Sequence, residues 1–230
     1  MMRLAAFFSL MVLPMLAQAA GPLTPDDHAL GMDFSLRFAS TTMPLNYNGL
    51  AHDTTSRWMG ISLREEVSQH ITLGMYGGYA YVTQSGNPVT AGLELDGYHA
   101  GFSWHGILFA SQHASLFYAL DYTYQKVDHP GESQTVVMDW SQPQAQLGAI
   151  VALTKYFRVY GGGSYGRIDG EERVSGATNL TTDFNRAARA GGFLGFDLNT
   201  DVDGYIGVEL RSGLTRGAEI YFKRRYRSFN

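Results

Sequence analysis

Large apolar residues alternate with small or charged ones along most of this chain. From Ala29 to Ser40 one parity holds Leu30, Met32, Phe34, Leu36 and Phe38, while the other holds Gly31, Asp33, Ser35, Arg37 and Ala39. A period of two marks a strand with two unlike faces. The pattern recurs in Met59, Ile61 and Leu63 against Gly60, Ser62 and Arg64, and in Leu73, Met75, Tyr79 and Tyr81 against Gly74, Gly78 and Ala80. It continues in Tyr98, Phe102 and Trp104 against His99, Gly101, Ser103 and His105, and in Leu116, Leu120, Tyr122 and Tyr124 against Ala119, Asp121, Thr123 and Gln125. Further segments centre on Leu147 to Val151, Phe157 to Tyr165, Leu194 to Leu198, Ile206 to Leu210, and Ile220 to Phe222. These make ten alternating segments of about ten residues each, a length that suits strands crossing a bilayer. Pro143, which would remove a ladder donor, falls near the expected start of the sixth.

The connectors add a second pattern. Those after odd segments are long, at 40–55, 85–92, 128–139 and 169–185, and those after even segments are short; the link from the ninth to the tenth, "GLTRG", is a short exception. In an up-and-down antiparallel sheet, alternate connections lie at opposite ends, so one end is long-looped and the other tight. The chain resembles the small outer-membrane barrels of Gram-negative bacteria, the porin-like class that contains the OmpA transmembrane domain. That resemblance is one of architecture and carries no family-specific motif. It implies an all-β, up-and-down transmembrane barrel of ten strands, with eight as the second choice. The apolar parity faces outer-membrane lipid, both termini lie in the periplasm, and the chain is a monomer. Closure is a physical requirement, because no water satisfies a free sheet edge within hydrocarbon.

Composition agrees. Residues 1–20, "MMRLAAFFSLMVLPMLAQAA", carry Arg3, an apolar run and a small-residue ending, the pattern of a cleaved export signal. Residues 21–230 then form one domain. The net charge of −4 becomes −5 without Arg3, which excludes a nucleic-acid partner. The absence of cysteine removes disulfides and thiolate metal sites.

The inward parity holds the candidate chemistry. Asp33, Arg37, Arg64, His99, Ser103, His105, Asp121, Arg158, Arg189, Asp197, Glu209, Arg211 and Lys223 would meet in a narrow lumen, where opposite charges neutralise one another. The expectation is a polar network that holds the barrel largely closed, in a structural or surface-interaction protein or at most a narrow channel. A hydrolase is the alternative. Pairing of the fourth and fifth strands sets Ser103 opposite Asp121 with His105 diagonal to both, the residue types of nucleophile, orienting carboxylate and base. That trio points into the lumen, away from a lipid substrate, and no catalytic residue is assigned.

Other motifs dissolve on inspection. His113–Ala114–Ser115 sits in a short turn, and "GGGSYG", Gly161 to Gly166, continues as a strand where a phosphate site needs a helix. His99 and His105 lie too far apart along one strand to share an ion, so neither metal nor cofactor is expected. Any extracellular ligand falls to the connectors 40–55, 128–139 and 169–185. One conflict remains in the sequence: strict parity turns Arg224 toward lipid, which a bulge or an early exit from the membrane would relieve.

Overall fold

A computed structural model describes residues 31–227 apart from 112, 132, 133, 177, 178 and 202; the export signal at residues 1–20 lies outside the described residues. Ten strands follow one another: β1 (Gly31–Tyr47), β2 (Leu50–Ser68), β3 (Ile71–Ser85), β4 (Glu94–Ala110), β5 (Ala114–Pro130), β6 (Gln134–Ala152), β7 (Phe157–Gly176), β8 (Leu180–Asn199), β9 (Gly204–Ser212) and β10 (Arg216–Arg227). Each pairs antiparallel with its sequence neighbours, and β1 pairs with β10 to close the ring. We call the end carrying Gly31 and Arg227 the lower end.

An apolar belt girdles the lower half. Met32, Phe34, Leu36 and Phe38 on β1, Met59, Ile61 and Leu63 on β2, and Leu194, Phe196 and Leu198 on β8 all point outward and are exposed. Water would not tolerate so continuous an apolar surface, whereas lipid requires it. Arg224 does face outward, opposite Phe34 of the belt, and its charge is met by Asp201 of the β8–β9 turn at 3.7 Å, so no bulge is needed.

Above the belt the strands continue, and this corrects the expected loops. Segments 40–55, 128–139 and 169–185 are mostly paired strand, with Tyr47 opposite Leu50, Pro130 opposite Thr135 and Val174 opposite Leu180. β1 and β2 meet in a two-residue turn at Asn48 and Gly49, whose φ values of 50° and 95° give the twist a tight hairpin needs. These segments resemble loops in sequence because their outward residues are polar. The apolar residues point inward there: Met43, Leu45, Tyr47, Val127, Val136, Met138, Val174 and Phe184 are all buried. Pro143, expected near a strand start, sits inside β6, where the ladder to β7 is interrupted between Ser141–Asp169 and Gln144–Gly166.

Both expected strand counts describe part of the molecule. The β9–β10 hairpin is short, and above it β8 pairs directly with β1 through Asn185–Asn46 and Phe184–Tyr47. The ring thus narrows from ten strands to eight. An eight-stranded ring is just wide enough for side chains to fill, and the apolar residues of the upper half do fill it.

Candidate functional site

The lumen changes character with height. At mid-depth Glu219 is the hub: Arg37 Nε donates to its Oε1 at 2.6 Å, and Arg211 Nη2 to its Oε2 at 3.4 Å. Arg211 Nε also donates to Glu209 at 2.5 Å. The register sets Glu209 directly opposite Glu219, and the Arg211 guanidinium bridges the two carboxylates while Arg37 neutralises Glu219 at its other oxygen. Arg37 stacks over Trp58 and Tyr76, at 5.3 and 5.5 Å to the ring centroids. Tyr76 lies across Gly101, where a Cβ would come within 2.5 Å of the ring, so this glycine provides the space the ring occupies.

Near the lower end a second cluster forms. Arg158 donates to Asp197 at 2.7 Å with both side chains buried, Tyr221 donates to the other oxygen of Asp197, and Tyr160 bonds Tyr221 at 3.1 Å. Arg158 and Lys223 both lie 4.6 Å from the centroid of Tyr205, and Lys223 approaches Asp33 at 4.0 Å. At the rim Arg225 pairs with Glu66 at 2.5 Å.

The register pairs Ser103 with Asp121, and His105 Nε2 lies 3.7 Å from Asp121 Oδ1. Ser103 Oγ is buried with no hydrogen-bond partner among the described residues. Arg64 stands opposite Asp33 in the β1–β2 register, and His99 packs on Trp58 at 4.6 Å. One expected member is not buried: Arg189, opposite Gly166, is exposed. Arg186 is buried, because β8 carries one extra residue where Gly166–Arg189 gives way to Ile168–Arg186, and this turns Arg186 inward. Arg186 Nη1 and Nη2 donate to the carbonyls of Pro44 and Gly213 at 3.1 and 2.7 Å, filling the seam where the β9–β10 hairpin leaves the ring.

Charge alone did not lead to Glu219, Tyr76, Tyr160, Tyr221, Trp58 or Arg225. All six sit on the inward parity, so counting every large inward residue would have found them. Between the two clusters lies a cavity of about 170 Å³, walled on one side by Arg37, Arg211 and Glu219 and on the other by Gln142, Gln144 and Gln146. Six carboxylates (Asp33, Glu66, Asp121, Asp197, Glu209, Glu219) and six cations (Arg37, Arg64, Arg158, Arg211, Lys223, Arg225) lie on the inward parity of the lower strands.

The upper end is roofed. The β3–β4 loop folds inward, and Asn87 Nδ2 donates to Gln84 Oε1 at 2.7 Å and to Glu172 Oε2 at 3.0 Å. Gln84 Nε2 in turn donates to Tyr47 and Thr54 at 3.0 and 2.9 Å. Around these groups pack Leu45, Val82, Leu95, Val136, Met138 and Phe184. Burial raises the Glu172 carboxyl above the ordinary glutamate value, and hydrogen bonds from Tyr47 and Asn87 offset only part of that. With the folded value above the unfolded one, the native state holds the extra proton between them, so stability falls as pH rises from the ordinary glutamate range through the raised value. Glu172→Gln should flatten this decline and raise the unfolding midpoint at neutral pH, as urea titrations from pH 4 to 8 would show.

No protein-family model matches this chain, and no curated protein matches it. Solved structures do share the fold. The outer membrane protease OmpT of Escherichia coli is 10% identical with a TM-score of 0.50, covering 89% of this chain and 98% of that one. The translocator domain of the autotransporter NalP of Neisseria meningitidis is 13% identical with a TM-score of 0.51, covering 90% and 91%. The β domain of the Bordetella autotransporter BrkA is 13% identical with a TM-score of 0.51, covering 87% and 100%. The architecture is therefore that of the Gram-negative outer-membrane β-barrels. At these identities the likeness is one of fold.

Proposed function

We propose that this protein is a bacterial outer-membrane barrel with its lower end and both termini in the periplasm and its upper β-ribbons outside the cell. Its lumen is held shut, and it serves as a structural or surface-interaction protein. The observation that carries this reading is the apolar roof: where the ring narrows to eight strands, buried Leu45, Val82, Leu95, Met138 and Phe184 fill its interior. Below the roof, the inward carboxylates and cations are equal in number and offer no surplus of either sign to draw an ion through. A hydrolase at Ser103, His105 and Asp121 is disfavoured, since the trio lies between roof and floor on the lumen wall, with His105 beyond hydrogen-bond reach of Asp121.

The test is fractionation combined with gel mobility. The protein should sediment with the outer membrane and migrate differently before and after boiling. A tag in the Asn48–Gly49 turn should be labelled on intact cells, and a tag after Asn230 only once the outer membrane is breached. A soluble periplasmic protein without a mobility shift would contradict the assignment, and the reverse labelling would invert the orientation.

A further inference from the structure

The loop that roofs the lumen also shapes the outer wall. Pairing of β3 with β4 stops at Thr83–Glu94, because the chain between them turns into the mouth, where Asn87 bonds Gln84 and Glu172. On the outside, at that point, lies a groove of about 520 Å³. It stands above the apolar belt, since the outward residues of β2 run upward from Met59 through Arg57 and Thr55 to Asp53. Its base is a ladder in register: Thr42, Thr55 and Thr83 stand opposite one another on β1, β2 and β3, and Glu94 follows on β4. The hydroxyls of Thr42 and Thr55 lie 3.1 Å apart. Asp53 and Ser85 form the next pair up, both exposed, and Gly92 and Leu93 close the far side.

The exposed side chains of the groove offer oxygen: hydroxyls that both donate and accept, and two carboxylates that only accept. Gln84, at the base, is 4% exposed, and its amide is already held by Tyr47, Thr54 and Asn87. None of the lining residues is a cation; Arg57 stands one row lower, opposite Tyr81. Asp53 and Glu94 sit two strands apart, about 10 Å, which is too wide for one metal ion to join them. No group of three metal-ligating side chains occurs among the described residues.

We propose that this groove binds an uncharged hexose unit of a glycan. A sugar ring carries hydroxyls at several corners, and each can accept from a threonine while donating to a carboxylate. It therefore satisfies the ladder and both acids at once, with the hydroxyl-to-carboxylate bonds the stronger of the two kinds. Tyr81, in the row below, reaches Glu94 with its hydroxyl and offers ring surface to the C–H face of a sugar. A phosphorylated, sulfated or sialylated sugar meets two carboxylates and no cation in the groove, so it is repelled. A polyamine matches the carboxylates but leaves the threonine hydroxyls without partners. This site rests on the surface-interaction reading above and gives it a ligand class.

The test mixes the full-length folded protein, in a sugar-free detergent, with the methyl glycosides of D-glucose, D-galactose and D-mannose in turn, and follows binding by saturation-transfer NMR. At least one glycoside should receive saturation from the protein, whereas N-acetylneuraminic acid and spermidine should not. Thr55→Val/Thr83→Val keeps the shape, removes two hydroxyls and should weaken binding about tenfold. Asp53→Asn/Glu94→Gln should weaken it to a similar degree, and it decides the matter if the valine variant lacks the heat-dependent gel shift of a folded barrel. No transfer to any of the three glycosides, equal binding by the wild type and the folded variants, or a preference for spermidine would overturn the site. Because the chain has no cysteine, Ser85→Cys supplies a single thiol to label on intact cells. Binding in detergent without labelling from outside would leave the sugar site standing and overturn the orientation of the barrel; labelling without binding would do the reverse.

Discussion

Replacing Glu219 by glutamine lowers the stability of the folded barrel by about 3 kcal/mol, because a buried ion pair loses one partner and leaves the other uncompensated. Glu219 takes hydrogen bonds from Arg37 and Arg211, and its side chain is only 5% exposed. Without it, Arg37 keeps its stacking on Trp58 and Tyr76 but has no carboxylate within reach. Arg37→Met should cost a similar amount for the converse reason. The double variant Arg37→Met/Glu219→Gln removes one charge of each sign and leaves Arg211 with Glu209. Its loss should fall short of the sum of the single losses by about 2 kcal/mol, the range for groups in direct contact. Urea unfolding in lipid vesicles measures all three, with Trp58 and Trp140 on the lumen wall as fluorescent reporters. Additive losses would show that the pair is not coupled and that the lumen network does not hold the wall together.

Phe184→Ala should cost about 3–5 kcal/mol, the scale for truncating a buried aromatic residue. Phe184 is 2% exposed and packs against Tyr47 at 5.1 Å and Trp140 at 6.2 Å between ring centroids. It stands where β8 closes directly onto β1, so its removal hollows the narrowest part of the roof. The cavity it leaves connects toward the polar chamber past Trp140. A loss below about 1 kcal/mol would mean that the roof is loosely filled and that Phe184 does not seal it.

Much of this fold can be read directly from the sequence. Strand number, antiparallel order and the outward set led by Phe34, Ile61 and Phe196 follow from parity alone. So does the opposition of Ser103 to Asp121, because a short turn fixes the register of β4 against β5. The upper halves of the strands were hidden for a physical reason. Parity persists along β1, but the inward residues pass from Asp33 and Arg37 to Met43 and Leu45, so a search for apolar residues facing outward stops at Phe38. The inward placement of Arg186 was unreadable for another reason. One additional residue in β8 shifts the face of every residue above it, and no local composition marks the bulge. Arg224 raised a conflict that geometry resolves, since Asp201 lies beside it.

The central claim is that the barrel is shut, and the current through a planar lipid bilayer tests it most directly. Purified, folded wild-type protein inserted at neutral pH in molar potassium chloride should give no sustained conductance steps, whereas Phe184→Ala should give detectable openings. Stable, ohmic steps from the wild type would contradict the account, because ions would then be crossing both the roof around Phe184 and the paired charges around Glu219.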